Sequence, residues 1–204
     1  MPRLFVALPV SDEVRRRAEA LLIPEDPSIR KTPPGEFHIT LHFLGETDQS
    51  VFERVRDELS LVQSPSFPFP FQLTFDGVGR FPPLAIGASS RRENSARVES
   101  SPRVLWIGVC ASEALRSLHQ NIGNVLSSLG IRTEERPYHP HLTVARIKPG
   151  AGVLSASRAA EMFETDNTGF RANQTVDRFV LYSVARDTSS GTRYVVEREY
   201  PLKS

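Results

Sequence analysis

Two short motifs constrain this chain more than anything else in it: His38-Ile39-Thr40 followed by Leu41, and His141-Leu142-Thr143 followed by Val144. Both sit in runs that read as β-strands, His38 to Leu44 and His141 to Ile147, where residues two apart share a face. Each His therefore looks to the same side as its Thr, while Ile39, Leu41, Leu142 and Val144 turn into a core. Matching positions lie 103 residues apart in a chain of 204. With five histidines and 11 threonines available, two such pairs arise by chance with a probability of roughly 0.03. An offset of half the length marks a duplicated unit. Strands related by a pseudo-twofold axis would bring two imidazoles and two hydroxyls to one cleft.

The rest of the chain supplies elements to hold such strands. Leu4 to Leu8 reads as a buried strand, and Ser11 or Asp12 caps a helix with Val14, Ala18, Leu21 and Leu22 on one face. Pro24 to Pro34 reads as loop. A second helix runs from a cap at Asp48 or Ser50 to Val62, and Ser64 to Pro70 is a linker. Phe71 to Phe75 alternates as a strand before a bend or bulge at Gly77 and Gly79. Residues 89–103 are polar and aperiodic, a surface loop. Val104 to Cys110 is a strand, Ser112 to Leu129 a helix ending at Gly130, and Ser155 to Phe163 a further helix. Phe179 to Ala185 and Arg193 to Tyr200 form a closing hairpin around residues 187–191. Hairpins and isolated strands mixed with three or four helices give an α+β fold rather than a doubly wound parallel sheet.

Charge limits what such a fold can hold. Of 25 basic residues 22 are arginines, yet 24 acidic residues leave a formal charge of +1. Bulk attraction of a polyanion is excluded, so an anionic ligand must be drawn by local placement. Cys110 is the single cysteine, which excludes an intrachain disulfide framework. The apolar run Leu4 to Val10 is too short to span a membrane and lacks a leader's cleavage site. The expectation is a cytoplasmic protein with no membrane partner.

Two histidines and two threonines around one centre suit attack at a phosphodiester. One neutral imidazole serves as general base, the other, protonated, as general acid, and the hydroxyls donate to phosphoryl oxygens. Neither cofactor nor metal is required. The rival zinc reading, with His38, His42, His139 and His141 as ligands, is strained because an i,i+4 pair in a strand lies about 13 Å apart.

These residues carry a resemblance to a known family. The chain resembles the two-histidine phosphoesterase superfamily and, within it, the RNA 2′,3′-cyclic phosphodiesterases, also called 2′–5′ RNA ligases. It does so through Arg3-Leu4-Phe5-Val6-Ala7, Phe37 to Glu46, Val104 to Gly108, Arg136 to Arg146, Phe179 to Ser183 and Tyr200-Pro201-Leu202. The resemblance implies one bilobal domain over 1–204, with an antiparallel sheet in each lobe, helices outside and a cleft between. It implies metal-free hydrolysis of a 2′,3′-cyclic phosphate, on a nucleoside or an RNA end, to the 2′-phosphate by a monomer. The ligation that reverses this chemistry, joining a cyclic end to a 5′-hydroxyl, is possible in principle. His38 takes the part of proton donor to the leaving 3′-oxygen, His141 that of base, and Thr40 and Thr143 those of phosphate clamps. Tyr138 departs from the residue common there, and 89–103 and 150–175 exceed the minimal core. Arg146, Tyr138, His42 and Phe81 are further substrate-binding candidates. His42 shares strand parity with His38, whereas Arg146 has parity opposite to Thr143 and needs a bend to reach the phosphate. Trp106 reads as core. The alternative function is a non-catalytic module that binds RNA ends in the same cleft.

Overall fold

The computed structural model describes residues 1–62, 70–82, 102–134, 136–187 and 191–202. In chain order these form β1 (Arg3–Pro9), α1 (Asp12–Glu19), β2 (Ile29–Lys31), β3 (His38–Glu46), α2 (Gln49–Glu58), β4 (Phe71–Phe81), β5 (Val104–Val109), α3 (Glu113–Ser128), β6 (His141–Ile147), α4 (Val153–Asp166), β7 (Arg171–Val176), β8 (Arg178–Asp187) and β9 (Gly191–Pro201). Residues 89–101 of the expected surface loop, 64–69 of the linker and the hairpin tip at 188–190 lie outside the described residues.

Local chemistry sets the helix ends. Ser11 and Ser112 take extended backbone and accept the N–H of Val14 and Leu115, satisfying a donor that each helix start leaves orphaned. Gly130, with φ of +78°, turns the chain out of α3 in a conformation that other residues adopt at a cost. α1 stops at Glu19, so Leu22, expected on its buried face, is exposed.

All pairings are antiparallel, and the main path runs β7-β4-β5-β6-β3-β1-β8-β9, with β2 on β6. The order is symmetric about the β6–β3 junction, where Ile39 faces Leu142. Those two positions are themselves 103 residues apart, so the pseudo-dyad passes beside this pair. The two half-sheets each carry one motif but do not follow the two halves of the chain. β4 leaves the first half to pair with β5, and β8 and β9 return from the second half to extend β1.

The helices cover the face of the sheet to which Ile39 and Leu142 turn. α1 packs on β7, α4 on β4 and α3 on β3, while α2 lies against β9 through Arg198 and Tyr200, which both donate to the Arg56 carbonyl. Gln174 on β7, a buried polar side chain, clasps the start of α1 by donating to the Pro9 carbonyl and accepting from Ser11 N–H. Arg80 is buried on β4 and pairs with Glu164 of α4 at 2.9 Å. No helix among the described residues is long and apolar enough to cross a membrane.

β4 runs on through Gly77 and Gly79, and of the bend or bulge expected there the structure shows the bulge, as an irregularity in its pairing with β5 between Phe75 and Val78. The strands approach closely there: a Cβ on Gly108 would lie 2.5 Å from the Asp76 carbonyl oxygen. Backbone cannot swing aside as a flexible side chain can. Gly108→Ala is expected to cost about 1–3 kcal/mol, typical of overpacking, read from urea unfolding. Gly169→Ala, with nothing within 4 Å of the added atom, should cost clearly less; equal losses would contradict the packing argument.

Candidate active site

One irregularity, made twice, shapes the site. In β3, Val6 of the neighbouring strand faces His42 and Ala7 faces Thr40, so Leu41 is an extra residue without a partner. In β6, Leu105 faces Ala145 and Trp106 faces Thr143, so Val144 is the extra residue. Leu41 and Val144 are 103 positions apart, as are the motifs. A bulge inserts one residue and resets which side chains face which way. Leu41 and His42 are therefore both buried, as are Val144 and Ala145.

The reset decides which candidates reach the cleft. His38 and Thr40 face it, and beyond the bulge so does Phe43; His141 and Thr143 face it, and beyond the bulge so does Arg146. These six residues, with Arg30, Lys31, Thr32, Pro33, Glu36, Val104 and Tyr194, line a cavity of about 420 Å³. The bend that Arg146 needed is thus built into its strand.

His42 is turned the other way, which corrects its assignment as a cleft residue. It is 6% exposed, and its Nε2–H donates to the His119 carbonyl at 2.8 Å on α3. The bulge at Leu41 cancels the parity that linked it to His38, and the same reversal prevents the four imidazoles of the zinc reading from converging. Tyr138 also lies off the cleft: its hydroxyl donates to the Thr40 carbonyl at 3.2 Å and its ring stacks on His119. Phe81 is not among the cavity-lining residues but packs edge-on against His141, with centroids 5.0 Å apart. Trp106 is half-buried opposite Thr143, beside Phe81, rather than in the core.

Both imidazoles are held alike. His38 Nδ1 lies 2.7 Å from the Glu36 carbonyl, and His141 Nδ1 lies 2.8 Å from the His139 carbonyl. A carbonyl can only accept, so Nδ1 carries the proton in each ring and Nε2 is left to act. Phe5 and Tyr194 pack on His38, with ring centroids 4.9 and 5.1 Å away. Burial is the largest influence on both rings and disfavours imidazolium, with Arg146 adding to the effect; His38, also beside His141, is pushed down to about 4, and His141 is lowered. Burial likewise raises the Glu36 carboxyl, against the pull of Arg30.

Eight lining residues were not anticipated from the sequence, Thr32, Pro33 and Val104 among them. Arg30 and Lys31 come from β2, three residues long and thus too short to show alternation. Glu36 and Tyr194 carry no motif. Phe43 did leave a signal, since it is the half-length counterpart of Arg146.

If Arg146 bears on both rings as a charge, Arg146→Gln should raise the titration midpoints of His38 and His141 together, followed by NMR of the imidazole protons. Midpoints unchanged in both would refute that coupling.

Known proteins resemble this chain in sequence and in fold. The sequence profile of the 2′-5′ RNA ligase superfamily matches residues 10–188. The RNA 2′,3′-cyclic phosphodiesterase of Archaeoglobus fulgidus is 32% identical over 180 residues, covering 85% of this chain and 91% of that protein. Its namesake in Thermotoga maritima is 30% identical over 149 residues, 72% of this chain and 70% of that one. Among solved structures, TT0787 of Thermus thermophilus superposes with a TM-score of 0.72 at 22% identity, covering 99% of this chain and 98% of its own. Escherichia coli LigT complexed with 3′-AMP gives 0.70 at 23% identity, with 100% of both chains covered. At such identities these two structures speak for the fold.

Proposed function

The chain belongs to the 2′-5′ RNA ligase superfamily, and from that premise we propose that it is a metal-independent RNA 2′,3′-cyclic phosphodiesterase working as one bilobal unit. The observation that carries this reading is the matched pair of imidazoles, each fixed by Nδ1 to a carbonyl two residues upstream, with Nε2 free beside a threonine in one cleft.

Water attacks phosphorus opposite the 3′-oxygen of the cyclic phosphate. His141 Nε2 takes the water proton as the new P–O bond forms. The P–O3′ bond breaks, its electrons leave on O3′, and His38 Nε2–H supplies the proton, giving a 2′-phosphate and a 3′-hydroxyl. Thr40 and Thr143 donate to the non-bridging oxygens, and Arg146 offers a charged fork to the same group. Strain in the five-membered ring already favours opening, so the protein need supply only orientation, proton transfer and charge stabilisation. A 5′-hydroxyl in place of water would run the ligation by the same groups.

The acid must carry a proton that the empty cleft opposes. With His38 pushed down to about 4, free enzyme near neutral pH holds this ring uncharged. An anionic phosphate between the rings supplies the missing counter-charge, so proton uptake accompanies substrate binding. Two pH optima follow. kcat/KM, which reports free-enzyme groups, should peak on the acid side of neutrality, above the pH of about 4 at which His38 titrates, because His141 too is lowered from its ordinary range. The kcat optimum should lie at higher pH, because bound phosphate favours imidazolium. A kcat/KM optimum above pH 7 would overturn this account.

The direct test is hydrolysis of a 2′,3′-cyclic nucleotide and of a short RNA ending in one, with and without exhaustive chelation. Turnover is expected to survive chelation and to give the 2′-phosphate. His38→Ala and His141→Ala should each lose several orders of magnitude, and Thr40→Ala or Thr143→Ala about 10–10³-fold, as for one lost oxyanion donor. Wild-type protein that binds such an RNA end but never opens it would replace catalysis with the end-binding module.

A further inference from the structure

Behind the cleft, on the helix side of β3, three rings form a column that the proposed mechanism does not use. His119, from the middle of α3, lies between His42 and Tyr138, with centroids 4.1 Å from one and 3.9 Å from the other and planes within 24° and 17° of parallel. His42 Nε2–H donates to the His119 carbonyl, and the Tyr138 hydroxyl donates to the Thr40 carbonyl. The His119 ring in turn lies beside the backbone of Leu41, the bulged residue, which favours its protonated form. α3 meets this column at Gly123, where a Cβ would lie 3.2 Å from His42 Cε1.

The column sits where the sheet is weakest. The half-sheets join at Ile39 opposite Leu142, so little of the backbone ladder fixes one motif against the other. A bulge also leaves backbone groups without a partner in the ladder, and the protein treats its two bulges differently. At the second, the Val144 carbonyl accepts the backbone N–H of Thr32, which follows β2. At the first, the corresponding residue, Leu41, relies on a side chain, His119. Tyr138, three residues before His141, reaches across the junction to Thr40. One motif is thus tied by main chain, the other by two aromatic side chains.

We infer that Tyr138 and His119 are positioning residues which, acting through Thr40 and Leu41, fix the His38 motif relative to His141. Neither lines the cleft. Without them the bulge loses a partner and the junction loses a cross-tie, so His38 and Thr40 can drift from the phosphate while the surrounding core stays closed. The consequence for turnover rests on the proposed hydrolysis; the consequence for the His38 ring does not.

Tyr138→Phe keeps the stacked ring and removes the hydroxyl, and His119→Phe keeps a ring and removes the imidazole nitrogens beside the Leu41 backbone. Each variant is assayed on a 2′,3′-cyclic nucleotide well below its unfolding midpoint, while His38 is titrated by NMR without substrate. The expected result is a fall in kcat of about 10- to 100-fold, the scale of an ångström-level misplacement, with KM within about twofold. His38 should titrate at least about half a pH unit higher as its ring becomes better hydrated. His119→Gln, which can still donate, should recover part of the loss seen with His119→Phe. Wild-type kcat together with an unmoved His38 titration in both variants overturns the inference, as does lowered thermal stability with neither readout changed. Wild-type protein that hydrolyses nothing defeats the hydrolase reading, while a shifted His38 titration in the variants still upholds the positioning role.

Discussion

The paired bulges at Leu41 and Val144 are the constraint on which the site depends. A regular strand would send every second side chain into the cleft, so His42 would join His38 and Arg146 would be turned away. One residue inserted just after each motif's threonine reverses both outcomes. It buries His42 against α3 and brings a guanidinium in beside two imidazoles. The same local device thus decides which groups meet a ligand and which knit the sheet to its helices. It also explains why two adjacent residues, Leu41 with His42 and Val144 with Ala145, are buried together where strict alternation would expose one.

Most of this was legible in the sequence, and the misreadings share a cause. The half-length offset placed both motifs on dyad-related strands, and apolar periodicity located four helices. Alternation cannot reveal a bulge, because Leu41-His42 and Val144-Ala145 contain no glycine or proline to announce one; parity therefore misplaced His42 and Arg146. The repeat could have corrected it, since a bulge in one motif is expected in its copy. β7 was missed for another reason. Its inward positions are Ala172, Gln174 and Val176, and Gln174 is buried because it satisfies backbone groups at the start of α1. A polar residue at an apolar position hides the strand from a hydrophobicity pattern. The tie from Tyr138 to Thr40 spans 98 residues, and no local rule reports such a contact.

A formal charge of +1 once looked like an obstacle to holding a phosphate. The cleft answers with placement: Arg30, Lys31 and Arg146 line it together with Glu36. The carboxyl of Glu36 is raised by burial and opposed by Arg30, so the cationic groups set the character of the site. For the proposed acid role of His38 the effect has a cost, because burial and Arg146 both disfavour its protonated ring. In the proposed reaction the phosphate offsets it, since an anion between the rings favours imidazolium. On that reading the ring stays uncharged until substrate arrives.

Strand exchange supplies the last step. Had each half of the chain built its own half-sheet, the junction at Ile39 and Leu142 would be the main link between two independent bodies, free to hinge apart. Instead β4 crosses into one half-sheet while β8 and β9 return to the other, so each half-sheet contains strands from both motif-bearing halves. α3, which follows β5, packs on β3 of the opposite half-sheet, and α1, which follows β1, packs on β7. Opening the cleft by rigid rotation would have to pull these helices off their strands and expose part of the shared core. The chain thus gains a cleft at its own dyad without the looseness that two separate lobes would bring, and the mutual placement of its two imidazoles is set by the whole core rather than by one pair of strands.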